Sequence, residues 1–283
     1  MSKILLTGST GFIGSELLKD LSQNNKVYVI LRKKSKRDLR NKNIIHIYYN
    51  GYKNLNNKIQ KLKVTTVIHC ATHYVKSHNL KDIEKLTHSN ILFGNIILEN
   101  LNVMGVKTFI NFSTVWENFD GKKENYYNLY SAYKASFGNI LNFYKKKFGK
   151  IKFLNLVISD TFGSNDKRKK IINLMKINYK KNLITKIVSK KLYINLLNVS
   201  DIIIAIKLII KGRYKSDTYL LKNKKDFKIT NIIKCINKNS NKKIKIKWLS
   251  NKILKENIYK FRSLKNWKPE NSKMENIVKI ITR

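Results

Sequence analysis

Short apolar runs alternate with longer stretches of helical periodicity over the first 158 residues. The apolar runs are rich in β-branched and aromatic residues and predict strands at 3–7, 26–31, 44–48, 64–70, 107–112 and 151–158. Between them, apolar residues that recur every three or four positions predict helices at 15–21, 82–101 and 130–148. Strands that alternate with helices are typical of βαβ units, so the sequence predicts an α/β fold around a mainly parallel sheet.

A glycine-rich turn separates the first predicted strand from the first predicted helix. Residues 7–14 read TGSTGFIG, which spaces Gly8, Gly11 and Gly14 three residues apart. In a dinucleotide-binding fold, the first glycine permits a tight turn, the second lets the backbone approach a pyrophosphate and the third lets the helix pack closely. We therefore predict a Rossmann-type doubly wound sheet whose turn binds the cofactor through Thr7, Gly8, Thr10, Gly11, Phe12, Ile13 and Gly14.

The chain after residue 158 is less regular. An apolar helix is predicted at 201–210, and no Pro- or Ser-rich linker marks a domain boundary. We expect residues 1–158 to form the cofactor-binding domain, with residues 195–215 returning to it. Residues 159–283 are expected to form a smaller C-terminal substrate lobe.

The end of the second strand bears on the choice of cofactor. An NAD-binding enzyme usually carries an acidic residue here, which binds the ribose 2′-hydroxyl. This chain has Arg32, whose guanidinium can hold a 2′-phosphate through two hydrogen bonds, and Ser35 could add a third. The sequence thus favours NADP(H), with NAD(H) as the alternative. A solvated Arg32 is the competing interpretation.

A Tyr-x-x-x-Lys pattern opens the predicted helix at 130–148. Tyr130 and Lys134 are four residues apart, so a helix places them on one face. A nearby cation favours the phenolate of a tyrosine and lowers its pKa. In the reductive direction, Tyr130 would protonate a carbonyl oxygen as hydride arrives. The pattern also occurs at 49–53, but that copy contains an Asn-Gly turn and precedes the fourth strand.

The glycine turn and the Tyr130–Lys134 pair together resemble the short-chain dehydrogenase/reductase superfamily, in particular its extended branch of nucleotide-sugar epimerases, dehydratases and reductases. The resemblance implies that Lys134 also holds the nicotinamide ribose, and that a Ser or Thr after the fifth strand hydrogen-bonds the reacting oxygen. Aligned without a gap, that hydroxyl position falls on Phe112. A shift of one or two residues restores Ser113, our first choice, or Thr114. The alternative is that both hydroxyl residues merely close the strand.

Further segments are similar to the CDP-paratose and CDP-abequose synthase-type 4-ketoreductases. They are VIHCAT at 67–72, SNI at 89–91, residues 111–119 and DTFGSNDKR at 160–168, and the resemblance covers most of residues 1–215. It implies a set of contacts, namely Ala71 with the cofactor, Thr72 and Asp160 with the sugar, and Arg168 with a diphosphate.

Some features of these segments depart from that resemblance or allow another interpretation. Ser164 stands where relatives often have Pro, and Glu117 stands where many have Gly. Arg168 could equally be a solvated charge within the basic run at 167–170. These positions put the exact substrate in question.

Net charge guides the choice of partners. It is +42, from 59 Lys and Arg against 17 Asp and Glu, yet the lysines are spread along the whole chain. We therefore favour compositional bias over a nucleic-acid site, and expect the charge to help attract a diphosphate. Two cysteines argue against a disulfide framework, and the apolar run at 202–210 is too short to span a bilayer. A cytoplasmic protein without a membrane span is expected.

The leading hypothesis is an NADP(H)-dependent reductase that delivers hydride to a nucleotide-activated 4-keto-deoxysugar, in the biosynthesis of surface polysaccharide. The alternatives are an epimerase that retains NAD(P), a non-catalytic NADP(H)-binding protein and a basic nucleic-acid-binding protein. No metal site is expected, because His69 and Cys70 point to opposite faces of a strand and lack further ligands. The helices at 82–101 and 130–148 could pair across a homodimer, although packing on the sheet explains their apolar stripes equally well.

Overall fold

The computed structural model of this chain describes residues 2–32, 41–212 and 214–283, without the side chain of Arg32. The strands are β1 (Lys3–Thr7), β2 (Lys26–Arg32), β3 (Ile44–Tyr49), β4 (Thr66–His69), β5 (Thr108–Thr114), β6 (Lys152–Ile158), β7 (Asp160–Phe162), β8 (Thr185–Ile187), β9 (Lys191–Ile194), β10 (Leu196–Asn198), β11 (Asp217–Leu221), β12 (Phe227–Lys228), β13 (Ile246–Trp248), β14 (Ile253–Lys255) and β15 (Arg262–Ser263). The helices are α1 (Phe12–Leu21), α2 (Tyr52–Gln60), α3 (Leu80–Thr87), α4 (Phe93–Glu99), α5 (Leu101–Met104), α6 (Leu129–Lys147), α7 (Ile171–Lys180), α8 (Val199–Lys211), α9 (Ile229–Lys238) and α10 (Met274–Thr282).

A parallel sheet of eight strands forms the centre of the molecule. Its strand order is β15-β11-β6-β5-β4-β1-β2-β3, and each neighbouring pair runs parallel. The order reverses at β1, which pairs with β2 on one side and β4 on the other. Ligands of such sheets bind in the crevice outside the carboxyl ends of the strands at this reversal. The predicted Rossmann-type α/β fold is confirmed.

Helices cover both faces of the large sheet. On one face, α1 and α8 bury Leu17 and Ile202 against strand residues such as Leu6. On the other face, α2, α4, α5 and α6 bury their apolar sides, as Ile97 and Phe137 show. This double cover explains why the central strands are apolar on both faces.

A smaller lobe is built from the later part of the chain. Three short sheets, β10-β7, β12-β9-β14 and β13-β8, accompany the helices α7, α9 and α10, which share a separate core around Met175, Ile232 and Ile277. The chain also returns to the large sheet, since α8 packs on α1 and the strands β11 and β15 join its edge. The division at residue 158 stays a prediction, and β11 and β15 are additions that the sequence pattern did not indicate.

The long helix predicted at 82–101 is interrupted. A π-helical turn, His88–Leu92, separates α3 from α4, and Asn100 then separates α4 from α5. The described residues include no helix that is both long and apolar enough to cross a bilayer.

Candidate active site

The glycine turn at 7–14 has the close approaches that its spacing predicts. Gly8 has φ +68°, and a Cβ atom there would lie 2.6 Å from the backbone nitrogen of Ala71. A Cβ atom on Gly14 would lie 2.2 Å from the carbonyl oxygen of Gly8. On Gly11 the nearest atom would be that same oxygen, at 3.2 Å. The turn thus packs against the end of β4 and against its own helix.

The amino end of α1 emerges from this turn. Gly11 is the N-cap residue, and its amide donates to the Gly8 carbonyl at 2.9 Å. The first amides of a helix have no intrahelical acceptor and carry the positive end of the helix dipole. This arrangement fits a cofactor pyrophosphate, with Thr10, Phe12 and Ile13 at the same end of the helix.

Thr7 has a supporting position below the turn. Its side chain is fully buried, and its hydroxyl lies 3.0 Å from Nδ1 of His69. The amide of Ala71 donates to the same hydroxyl at 3.1 Å, which joins the ends of β1 and β4. Burial, together with the charge of Lys134, lowers the pKa of His69 to about 3, so this histidine is neutral.

The structure describes only part of the two residues, Arg32 and Ser35, that are predicted to favour NADP(H) over NAD(H). The backbone of Arg32 ends β2 and pairs with Tyr49 of β3. Its side chain and Ser35 lie outside the described residues. The preference for a 2′-phosphate therefore stays a prediction.

Tyr130 and Lys134 lie in the first turns of α6. A capping box fixes the start of this helix, because the side chain of Asn128 accepts from the Ser131 amide and the Ser131 hydroxyl is paired with the Asn128 backbone. Burial raises the pKa of Tyr130 to about 12, and a hydrogen bond with Thr72 opposes the rise. Burial also lowers the pKa of Lys134 to about 8, opposed by the negative charge of Glu117.

The three candidate positions for the hydroxyl group, Phe112, Ser113 and Thr114, lie at the end of β5 and have different surroundings. Phe112 packs into the core that faces α1 and α8. Ser113 is on the opposite face of the strand, which is the α6 face, and its hydroxyl donates to Oε1 of Glu117. The hydroxyl of Thr114 accepts from the Trp116 amide at 3.3 Å and caps the short 3₁₀ segment Val115–Gly121. Ser113 is thus the hydroxyl on the Lys134 side, and Thr114 closes the strand.

The predicted sugar contacts, Thr72 and Asp160, are both held by side-chain hydrogen bonds. The hydroxyl of Thr72 donates to Oδ1 of Asn90 at 3.0 Å, besides its hydrogen bond with Tyr130. Asp160 accepts from Nζ of Lys170 at 2.8 Å. The same ammonium lies 4.1 Å from the ring centroid of Trp116.

Arg168 is held in place rather than freely solvated. Its guanidinium donates to both carboxylate oxygens of Asp166 at 2.8 Å and to the backbone and hydroxyl oxygens of Thr161 at 2.9 Å. The guanidinium carbon lies 4.2 Å from the ring centroid of Phe12. The group therefore sits over the residue that begins α1, beside the glycine turn.

The sequence does not predict a chemical role for three residues of this region: Glu117, Lys170 and Glu256. Glu117 was noted as a departure from relatives, and Lys170 belonged to the basic run at 167–170. Burial raises the pKa of Glu256 to about 7, aided by Asp160, while a hydrogen bond with Trp116 opposes the rise. Glu256 comes from the part of the chain where the resemblance was thin, so no sequence signal pointed to it.

The neighbouring His69, Cys70 and His73 make no metal site. Residues 2–32, 41–212 and 214–283 contain no group of three or more His, Cys, Asp or Glu side chains that could hold an ion. The second Tyr-x-x-x-Lys copy does not lie on α6, because Tyr49 ends β3, and its ring contacts Tyr52 and Phe93.

Comparisons with known proteins agree with this geometry. The model of the NAD dependent epimerase/dehydratase family matches residues 4–220. The CDP-abequose synthase of Yersinia pseudotuberculosis is 25% identical over 248 residues, which is 83% of each chain. That of Salmonella muenchen is 28% identical over 176 residues, covering 60% of this chain and 57% of the relative.

Solved structures share the fold over almost the whole chain. The UDP-N-acetylglucosamine 4-epimerase of Methanobrevibacter ruminantium M1 has a TM-score of 0.81 at 19% identity, covering 99% of this chain and 97% of its own. The UDP-glucuronic acid 4-epimerase of Bacillus cereus, solved with NAD, has a TM-score of 0.79 at 19% identity, covering 99% and 98%. At this identity the likeness shows the fold alone.

Proposed function

Because the chain belongs to the NAD-dependent epimerase/dehydratase family of nucleotide-sugar-modifying enzymes, we propose that it reduces the keto group of a nucleotide-activated 4-keto-deoxysugar with NADPH. The observation that carries the proposal is the pairing of Tyr130, which keeps its proton at neutral pH, with Lys134 on the same helical face. A tyrosine with a pKa of about 12 is a proton donor before it is a base. The similarity to two CDP-abequose synthases supports this choice of substrate class.

The cofactor would lie over the glycine turn. The amides at the start of α1 would hold its pyrophosphate, and glycine at positions 8 and 14 lets the turn pack closely on the end of β4 and on its own helix. Lys134 would hold the nicotinamide ribose, near Ala71 at the end of β4. Arg32, with Ser35, would bind the 2′-phosphate and favour NADPH over NADH. When bound, NADPH supplies the hydride, which no side chain can provide.

Tyr130 and its neighbours would handle the proton. The keto oxygen would accept a hydrogen bond from Tyr130, which transfers its proton as hydride reaches the carbonyl carbon. The hydrogen bond with Thr72 and the positive charge of Arg168 favour the phenolate that remains, and the expected lowering of the Tyr130 pKa by Lys134 is not found. Ser113, on the same side of β5 as Lys134, would orient the keto oxygen once its hydroxyl turns away from Glu117, to which it donates in this structure.

The sugar and the diphosphate would extend from Tyr130 toward the smaller lobe. Thr72 hydrogen-bonds Tyr130, and Asp160 acts on Tyr74, whose ring packs edge-on against that of Tyr130. Thr72 and Asp160 would bind sugar hydroxyls. Trp116 offers an aromatic face beside Lys170. The guanidinium of Arg168 lies over the ring of Phe12, where it would meet a diphosphate.

The test is NADPH oxidation, followed by absorbance, with CDP- and dTDP-4-keto-deoxysugars. We expect the wild type to consume one NADPH per sugar, and Tyr130→Phe to lose roughly 10²- to 10⁴-fold in rate because it has no proton to give. Affinities for NADPH and NADH are measured alongside, and both proteins should retain binding.

Tyr133→Phe is the matched control. Tyr133 lies on the same helix, but its hydroxyl is 2.7 Å from that of Thr87, on the exposed side, so its rate should equal that of the wild type. A wild type that binds NADPH and oxidises none would contradict the reductase. Interconversion of sugar epimers without net oxidation would establish an epimerase instead.

A further inference from the structure

Glu256 carries a carboxyl group that the proposed reaction leaves without a role. It follows β14, a strand that pairs with β9 in the smaller lobe. Its Oε1 atom is buried and has no hydrogen-bond partner among the described residues. A buried acceptor without a partner destabilises a protein unless a ligand or a water molecule donates to it. The position therefore calls for a hydrogen-bond donor from outside the described chain.

The residues that follow Glu256 hold it against the segment after β5. The backbone amide and the side-chain nitrogen of Asn257 donate to Oδ1 of Asp120 at 3.2 and 3.1 Å. Ile258 packs in the same small apolar cluster as Trp116. Glu256 therefore lies beside Trp116, and the contacts of its neighbours fix this position.

Ring contacts join Trp116 to the proton donor of the proposed reaction. The ring centroids of Trp116 and Tyr74 are 6.0 Å apart. Those of Tyr74 and Tyr130 are 5.1 Å apart, with the two rings edge-on. Two ring contacts therefore separate Trp116, and the carboxyl group beside it, from Tyr130.

Lys170 lies over the same rings, and its ammonium is already paired. Its Nζ atom is 4.1 Å from the ring centroid of Trp116 and 5.4 Å from that of Tyr74. The ammonium donates to Oδ1 of Asp160 at 2.8 Å. Among the described residues, the ion-pair partner of Lys170 is thus Asp160 and not Glu256.

The carboxyl groups around Glu256 outnumber the cations, although the chain as a whole carries a net charge of +42. Burial raises the pKa of Glu256, the carboxylates of Asp160 and Asp120 add to the rise, and Lys170 opposes it. Two carboxylates therefore accompany one cation at this residue. A neutral donor such as a sugar hydroxyl suits these surroundings, whereas a further carboxylate would be repelled.

We propose that Glu256 is a specificity-determining residue, whose Oε1 atom accepts a hydrogen bond from a hydroxyl group of the substrate sugar and whose charge excludes sugars that carry a carboxylate. The inference rests on the proposed function, because it takes the sugar to extend from Tyr130 toward the smaller lobe. A hexose with its keto oxygen at Tyr130 would run along the rings of Tyr74 and Trp116 and end at Glu256. The substrate class then narrows to nucleotide-activated neutral sugars, without uronic acids.

The test is isothermal titration of the full-length protein, saturated with NADPH, with CDP, CDP-glucose and CDP-glucuronic acid, and with the three UDP counterparts. Neither sugar carries a keto group, so NADPH has nothing to reduce and no reaction runs during the titration. We expect glucose to strengthen the binding of one of the two nucleotides by about fivefold or more. Glucuronic acid should add no affinity to the same nucleotide.

Two variants of Glu256 separate the hydrogen bond from the charge. Glu256→Ala should weaken the binding of the nucleotide-glucose about tenfold, the usual loss for a hydrogen bond to a charged group, while the nucleotide alone binds as before. Glu256→Gln keeps an acceptor oxygen without the charge. It should bind the nucleotide-glucose much as the wild type does, and the glucuronic acid compound about tenfold more tightly than the wild type does. Glu275→Ala, on the exposed side of α10, is the control and should match the wild type throughout.

Several results would overturn the inference. One is a wild type to which glucose adds no affinity in either nucleotide series, or which binds the glucuronic acid compound as tightly as the glucose compound. Another is an unchanged affinity for the nucleotide-glucose in Glu256→Ala. An equal loss for the nucleotide and for the nucleotide-glucose would do the same, because Glu256 would then support the whole site and not the sugar.

Binding without turnover keeps this inference distinct from the reductase itself. If the expected pattern is found but the wild type oxidises no NADPH with 4-keto-deoxysugars, only the proposed reaction fails. If the wild type reduces such a sugar and Glu256→Ala binds the nucleotide-glucose unchanged, the reaction stands and the role of Glu256 fails.

Discussion

Gly14 shows how a single missing atom fixes the cofactor turn. Its position on the first turn of α1 brings the helix so close to Gly8 that a Cβ atom would overlap the Gly8 carbonyl oxygen at 2.2 Å. Gly138, inside α6, has no heavy atom within 4 Å of the same hypothetical Cβ. Glycine is therefore a steric requirement at the first position and a matter of helix propensity at the second.

Alanine at these two glycines should have opposite effects on stability. Gly14→Ala must displace the backbone of the turn, and we expect it to lower the free energy of unfolding by about 2 kcal/mol and to weaken NADPH binding. Gly138→Ala should leave stability unchanged or raise it by up to about 1 kcal/mol, through better helix propensity. Urea unfolding and NADPH titration measure both effects. Equal stabilities for the two variants would show that the turn tolerates a side chain.

Over the first 158 residues, the strands followed from sequence more closely than the helices, whereas the strands β7 to β15 that come later were not predicted. The predicted strands at 3–7 and 26–31 match β1 and β2 to within one residue, because buried parallel strands are short runs of β-branched residues. The helix at 82–101 was predicted as one element, since its apolar periodicity survives the π-helical turn almost unchanged. Helix α2 was missed because its apolar face amounts to Leu55 and Ile59 in a stretch of Asn and Lys.

The π-helical turn has a local purpose in positioning Asn90. The buried side chain of this residue accepts from the Thr72 hydroxyl at 3.0 Å and from the His73 amide at 2.7 Å, and it donates to the His73 carbonyl at 3.1 Å. These bonds hold the loop after β4, which carries two residues of the candidate site. Periodicity cannot reveal such an arrangement, because the hydrogen bonds join segments 17 or 18 residues apart.

Asn90→Ala should therefore loosen that loop. Three hydrogen bonds are lost in a buried position, so the free energy of unfolding should fall by about 2 kcal/mol. The KM for the keto-sugar should rise more than the dissociation constant for NADPH, since Thr72 is the residue that we propose faces the sugar. Asn102→Ala, on the exposed side of α5, is the control and should alter neither constant. Unchanged kinetics in Asn90→Ala would mean that the loop keeps its shape without this residue.

At the scale of the whole molecule, the site depends on contacts between segments far apart in sequence. Trp116 lies beside Glu256, and Arg168 lies over Phe12, so the proposed sugar side is assembled from four parts of the chain. The sequence could identify the glycine turn and the Tyr130–Lys134 pair because each is a local pattern. It could not identify Glu256 or the burial of Glu117 near Lys134, because these neighbours are brought near by the fold and not by spacing.

The smaller lobe is tied to the large sheet by a buried carboxylate. Asp201, at the start of α8, is fully buried and accepts from the amide and side chain of Asn271 at 2.9 Å and from the Ser272 hydroxyl. Its own backbone oxygen accepts from the indole of Trp267 at 2.9 Å. The segment before α10 is thereby anchored on a helix that packs against the cofactor helix α1.

Asp201→Ala should detach this anchor. Several charge-assisted bonds vanish and their donors stay buried, so the free energy of unfolding should fall by about 3 kcal/mol. Asp20→Ala is the control. Asp20 of α1 pairs at 3.1 Å on the surface with Lys207 of α8, the helix that also carries Asp201, and its replacement should lower the free energy of unfolding by less than about 1 kcal/mol. Urea unfolding gives both values, and limited proteolysis should cut first before α10 in Asp201→Ala. Similar losses for the two variants would mean that the anchor contributes no more than a surface ion pair.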